Sequence, residues 1–274
     1  MAEINGFVHL HTHTAYSLLD GEGTVEKVLD RAKELGQEAM AITDHGNMYG
    51  VIEFYEYAKK IGIKPILGCE VYVAARTRFD KTYELDSERY HLILLAENNT
   101  GYKNLMKIVS MGFIEGFYYK PRIDMELLRE YSEGIIALSG CMFGVLSRKI
   151  LAGNYGAAIE TAKEFIDIFG RDRFFVEVQD HGLYDQKKLN VGLIKLAGEL
   201  GLDIVCTNDI HYVKKEDAEY QDVLMCVQMG KTVDDDKRMK MSASELYVKS
   251  EDEMNELFSY LSLIHISEPT RLDV

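Results

Sequence analysis

With 274 residues and 47% hydrophobic content, the chain can build one large barrel or two ordinary domains, and four cysteines without CxxC spacing point to reduced thiols rather than a disulfide framework. A formal net charge of -14 argues against a free-standing, non-specific nucleic-acid binder, since phosphate affinity is carried largely by Lys and Arg. A phosphodiester substrate stays open, because bound divalent cations or a larger assembly can supply the positive field. No run approaches the ~18 to 20 apolar residues of a membrane span, and "MAEINGFVHL" lacks the basic-then-apolar pattern of a signal peptide, which implies a cytoplasmic chain.

In chain order, strands are predicted in "GFVHLHTH", "AMAITDH", "PILGCEVYVA", "YHLILLAE", "GIIALSG", "RFFVEVQD" and "LDIVCTND". Amphipathic helices fall between them in "TVEKVLDRAKELG", "VIEFYEYAKKIG", "GYKNLMKIVSMGF", "AAIETAKEFIDIFG" and "LYDQKKLNVGLIKLAGELG", several ending in a glycine suited to a left-handed cap. The polar segment "RTRFDKTYELDSERY" reads as an excursion between strands, and "YYKPRIDMELLREYSEG" as a loop entering a helix. Strand and helix alternate without an evident linker, which predicts an α/β fold with a mainly parallel sheet closed into a barrel; an open doubly wound sheet is the alternative.

Notable polar residues fall at or just beyond predicted strand ends: His11 and His13, Asp44 and His45, Glu70, Cys141, and Asp209 with His211. In parallel α/β folds functional groups from distant strands gather at that end. Alternation along a strand puts His9, His11 and His13 on one face, and Asp209 with His211 likewise. His91 opens its predicted strand, so either the boundary is displaced or that strand runs the other way. Asp44 or Asn47 reads either as a cap for the helix near Val51 or, for Asp44, as a partner orienting His45. A set of imidazoles, carboxylates and one thiol suits zinc, manganese or iron better than magnesium.

The stretches "HLHTHTAYSLLDG", "AITDHGNMYG", "GIKPILGCEVYVA", "HLILLAENNTGYKNLMKI", "YYKPRID", "GIIALSGC", "EVQDHG" and "TNDIHYVKKEDAEYQDVL" resemble, in order and spacing, the N-terminal PHP (polymerase and histidinol phosphatase) domains of bacterial DNA polymerase III alpha subunits, from Phe7 to Phe258. The resemblance implies a distorted seven-stranded (β/α) barrel over residues 1–260 holding up to three divalent ions. One ion would be held by His11, His13, Glu70 and Asp209; a second would share Glu70 and add His91 and Cys141; the third would use Asp20, His45 and His211. Glu70, Asp209 and His211 form the implied catalytic group, with Asp44 behind His45; His9, one alternation deeper than His11, reads either as a residue backing the ligands or as part of the core.

The implied activity is a 3′ to 5′ exonuclease attached to a replicative polymerase, with primer-template DNA, the remaining polymerase domains and other replicase subunits as partners. Lys120 and Arg122, beside Tyr118 and Tyr119, would meet the DNA backbone; an ordinary polar loop is the alternative. No family ligand falls at His181, which reads as a structural hydrogen bond. A catalytically silent, metal-stabilised scaffold supporting the polymerase is a rival reading. A stand-alone histidinol-phosphatase-like hydrolase is a third, disfavoured by matches outside the site such as "AENNTGYKNLMKI" and "KTVDDDKRMK". "SEDEMNELFSY" opens with a capping box, Ser250 with Glu253, whereas "LSLIHISEPTRLDV" (261–274) departs from the family and resembles adapter read-through, a non-native and disordered tail that removes His265 from the ligands and leaves the polymerase domains absent.

Overall fold

A computed structural model describes residues 6–238, 240 and 243–261; apart from Leu261, the expected foreign tail and His265 lie outside the described residues. The strands are β1 (Ala39–Ile42), β2 (Lys64–Ala74), β3 (Arg89–Ala96), β4 (Arg122–Ile123), β5 (Ile135–Leu138), β6 (Phe174–Val178) and β7 (Ile204–Cys206). The helices are α1 (Val25–Glu34), α2 (Val51–Ile61), α3 (Tyr83–Asp86), α4 (Asn99–Ile114), α5 (Met125–Glu130), α6 (Val145–Leu151), α7 (Tyr155–Phe169), α8 (Tyr184–Leu200), α9 (Ala218–Met229) and α10 (Glu251–Leu257). Left-handed glycines close α2 at Gly62 and α8 at Gly201, and the Ser250–Glu253 capping box opens α10.

The ladder runs β1-β2-β3-β5-β6-β7, with β4 on the far half of β2. β3 is antiparallel to both β2 and β5, and the other pairs are parallel. Residues 6–13 are not the regular first strand that their alternation predicts. They touch β1 through a His9–Met40 bridge and the run after β7 through a Thr12–Ile210 bridge, curling the sheet towards closure. Val8 and Leu10 join the interior apolar cluster with Ala41, Ile66, Ile93, Leu138 and Val205, which turns His9 to the other face. The backbone then bends at His11, so His11 and His13 leave the phase that His9 sets.

His9 therefore does not back the other histidines: its Nε2 pairs with the Lys249 carbonyl at 2.9 Å and its ring meets Phe7 edge-on. Burial lowers its pKa to about 4. Arg122 also departs from expectation. Expected to meet DNA, it is fully buried, and its guanidinium donates to the carbonyls of Gly116, Asp86, Arg78 and Asp80. It pins the polar excursion, which Arg76 also closes with a bidentate bond to Asp86.

Arg122→Met strands those buried carbonyls and is expected to cost about 3 kcal/mol or more in urea denaturation, whereas a DNA-contacting arginine could be replaced with little loss. The neutral, buried His9 makes stability fall as acid rises: the unfolded ring protonates below its ordinary pKa of 6.5, the folded ring only near 4. Between those pH values the metal-free chain should lose about 3 kcal/mol relative to His9→Gln, and parallel profiles from equilibrium unfolding at stepped pH would contradict this.

Candidate metal centre

The interior faces of the strands continue into the site. Glu70 lies two alternations beyond Ile66 on β2, and Glu177 one beyond Phe175 on β6. Because β3 runs against its neighbours, its beginning lies at the end where they finish. His91 thus stands opposite Tyr72 and reaches the mouth from a strand start. His45 bridges to Glu70 just after β1, and Cys141 follows β5. Asp209 sits in the left-handed region at φ 49°, so Asp209 and His211 are delivered by a strained turn rather than by one strand face.

Glu70 is the hub. Its Oε1 lies 2.8 Å from His91 Nδ1 and 3.5 Å from His11 Nε2; its Oε2 lies 2.5 Å from His45 Nδ1 and 3.4 Å from His13 Nε2. Asp209 Oδ1 is 3.1 Å from His11 Nε2 and 3.3 Å from His13 Nε2. Cys141 Sγ is 3.5 Å from His91 Nδ1, and Asp20 Oδ2 is 3.6 Å from His45 Nε2. His211 packs its ring on His13, centroids 4.4 Å apart. Among the described residues, three groupings have ligand atoms near enough to share an ion: His11, His13 and Glu70; His45, Glu70 and His91; and His13, His45 and His211.

Electrostatics couple these groups. Burial alone would raise Glu70, but His91, His45 and His11 outweigh it and hold the carboxyl well below the usual range. Burial opposes charge on His11 too, yet Asp209, Glu177 and Glu70 raise its pKa well above the ordinary value. His13 goes the other way, driven well down by burial and by His45 and His211. Burial, with Glu70 and Asp209 nearby, pushes the Cys141 thiol up, so a thiolate there needs a cation. Glu70 Oε2, His45 Nδ1 and Asp209 Oδ1 are buried, and although Glu70 Oε2 and His45 Nδ1 stand 2.5 Å apart and Asp209 Oδ1 stands 3.1 Å from His11 Nε2, none of these contacts has hydrogen-bond geometry. Crowded nitrogen and oxygen lone pairs of this kind fit divalent metal ions.

Asp44 is engaged differently from expectation. It accepts from the Thr14 N–H and hydroxyl and from Ser17 Oγ, 2.7 to 2.8 Å away, and no side chain caps α2, whose N-cap is Gly50. Ser17 Oγ in turn accepts from His13 Nδ1 at 2.9 Å and from the His45 N–H at 3.0 Å. Asp44 thus acts on His13 and on the His45 backbone through Ser17. The sequence reading missed Ser17 and, more importantly, Glu177, which accepts from His11 Nδ1 at 2.7 Å. The signal for Glu177 was an acid inside the apolar run "RFFVEV", the same signal that singled out Glu70. Lys120 lies with its Nζ 5.6 Å from the Tyr72 ring, itself 5.3 Å from His91, at the rim of the mouth. His181 bonds the Asn208 carbonyl and Gln186.

Imidazoles, carboxylates and a thiol converging at one end of an α/β barrel define a protein with a donor set for divalent ions. The PHP domain family matches residues 9–181, and the chain belongs to that family. It is 48% identical over 255 residues to the DNA polymerase III subunit alpha of Treponema pallidum (strain Nichols), covering 93% of this chain and 22% of that protein. It is 48% identical over 252 residues to the DNA polymerase III subunit alpha of Thermus aquaticus, covering 90% and 21%. The chain thus spans about a fifth of the length of these relatives, at 22% and 21%. Among solved structures, an amidohydrolase from Chromobacterium violaceum with bound sulfate and no metal aligns at a TM-score of 0.49 and 16% identity, over 75% of this chain and 87% of that one. No described helix is long and apolar enough to cross a membrane.

Ser17→Ala removes the acceptor shared by His13 and His45 together with a donor to Asp44. In chelator-treated protein it should lower unfolding free energy by about 2 kcal/mol, and a change under about 0.5 kcal/mol in urea melts would contradict this wiring.

Proposed function

We propose that this barrel is the PHP domain of a replicative polymerase alpha subunit and acts as a metal-dependent phosphodiesterase that removes 3′-terminal nucleotides. The observation that carries the reading is convergence: His11, His13, Asp20, His45, Glu70, His91, Cys141, Asp209 and His211, drawn from across the chain, reach one mouth around the buried Glu70 carboxylate. His11, His13, Glu70 and Asp209 would hold one ion, Glu70 with His91 and Cys141 a second, and Asp20, His45 and His211 a third, with zinc, manganese or iron favoured by the donor mix. Such ions supply Lewis acidity that activates water and stabilises charge on the leaving 3′ oxygen.

The chain's own residues set the geometry. Glu70, with both oxygens against imidazoles, spaces the ligands and is not free to serve as a base. His211 donates from Nδ1 to the Asp209 carbonyl at 2.8 Å, which leaves its Nε2 lone pair for an ion. Side-chain exposure rises from 1% at Glu70 to 17% at His91 and 30% at Asp20, so a phosphate enters from the Asp20 and His91 side. Lys120 at that rim meets the DNA backbone, and Arg122 holds the loop that carries it. The working context is primer-template DNA in the cytoplasm, with the remaining polymerase domains and other replicase subunits.

The test is hydrolysis of mismatched primer-template DNA, with histidinol phosphate as comparison, in manganese or zinc. His11→Ala and Asp209→Ala should each lower metal-dependent release of 3′ nucleotides by at least about 100-fold, and chelation should abolish it. Nuclease activity unchanged in both variants would assign it to a contaminant. Full metal binding without turnover would support the silent scaffold, and preference for histidinol phosphate the small-phosphate hydrolase.

A further inference from the structure

We propose that Glu177 is a positioning residue for the metal centre, a single carboxylate that fixes the His11 ring on one side and the Gly140–Cys141 loop on the other. The inference rests on the metal-centre reading above and extends it, because His11 and Cys141 belong to different proposed ions. Glu177 thereby couples two sites that, among the described residues, are otherwise linked by the buried Glu70 carboxylate.

The surroundings of Glu177 specify a carboxylate rather than merely a side chain of its size. Its Oε1 accepts from His11 Nδ1 at 2.7 Å, from the Thr207 hydroxyl at 2.5 Å and from the Gln179 amide at 3.0 Å, while its Oε2 accepts from the Gly140 N–H at 3.1 Å. Every one of these partners donates, so both oxygens must accept. A glutamine has one accepting and one donating end, and in either orientation its amide nitrogen faces another donor. An aspartate is one methylene too short to reach both sides.

Each arm has a consequence at the centre. With its Nδ1 proton committed to Glu177, His11 turns its Nε2 atom towards Asp209 Oδ1, 3.1 Å away, and Glu70 Oε1, 3.5 Å away, the side on which an ion would be held. A carboxylate behind an imidazole fixes the tautomer and strengthens the ring as a ligand. On the other arm, Gly140 has φ +83° and lies so close to β3 that an added Cβ would fall 2.7 Å from the His91 carbonyl. The bond from its N–H to Glu177 holds the loop where Cys141 Sγ stands 3.5 Å from His91 Nδ1. The Glu177 N–H also donates to Ser139 Oγ at 2.9 Å, so strand and loop are tied twice.

The test uses the whole chain stripped of metal, with Glu177→Gln as the main variant and Thr207→Val as a milder one that removes a single donor and should fold even if the first does not. Zinc affinity is measured by calorimetry. Occupancy beside Cys141 is followed by the cadmium–thiolate absorption band, identified by its loss in Cys141→Ser. The His11 Nδ1–H resonance is followed by NMR in the zinc-loaded chain. Glu177→Gln should weaken zinc binding about 10- to 100-fold, displace the cadmium titration to higher metal, and shift or lose the Nδ1–H signal, with Thr207→Val a few-fold weaker. Wild-type affinity and an unshifted cadmium titration in both variants would reduce Glu177 to a structural residue and overturn the proposal. Failure of the unaltered chain to bind zinc or cadmium would overturn the functional reading and this inference together.

Discussion

Everything in this molecule turns on the burial of one carboxylate, Glu70, inside a ring of imidazoles. An isolated carboxylate at that depth would cost several kcal/mol, and neutral histidines alone offer it little relief. His91, His45, His11 and His13 approach it within 2.5 to 3.5 Å, and they cannot all carry protons without repelling one another. The opposite displacements of His11 and His13 show how the metal-free ring divides that charge. A divalent ion resolves the same conflict with all the rings neutral. The fold is therefore best understood as a device for bringing nitrogen donors to Glu70 from as many directions as it has neighbours.

Strand direction does much of this delivery. Interior positions of β2 and β6 pass from apolar residues to Glu70 and Glu177 at the end where β1, β5 and β7 also finish, while reversed β3 brings His91 to that end from its own beginning. Loops supply the rest: the bend at His11, the left-handed Asp209 and the Gly140 turn each hold backbone where a regular strand would not go. Such departures concentrate at the mouth, where the candidate metal-binding side chains meet.

This division explains what the sequence could reveal. Six of the expected strands and the main helices were readable from periodicity, and the candidate ligands stood out because imidazoles and acids at the ends of apolar runs are costly without a task. His9 and Arg122 had two readings each, and for a common reason the sequence could not choose between them. Both are buried polar residues that donate to main-chain carbonyls far away in sequence, and no local pattern records such partners. Alternation failed for the histidines because a single bend changes the phase, and a bend leaves little trace in composition. Glu177 and Ser17 escaped because their work is done on other side chains, a relation only the folded chain displays.

The central claim is that Glu70 sits between metal ions. Anomalous diffraction from crystals of the chain grown with zinc or manganese measures this most directly. The account predicts strong peaks about 2.0 to 2.3 Å from ligand atoms, with one Glu70 oxygen directed at the ion beside His11, His13 and Asp209 and the other engaged with a neighbouring ion. A single peak bound away from Glu70, or none at the mouth from crystals saturated with metal, would contradict it.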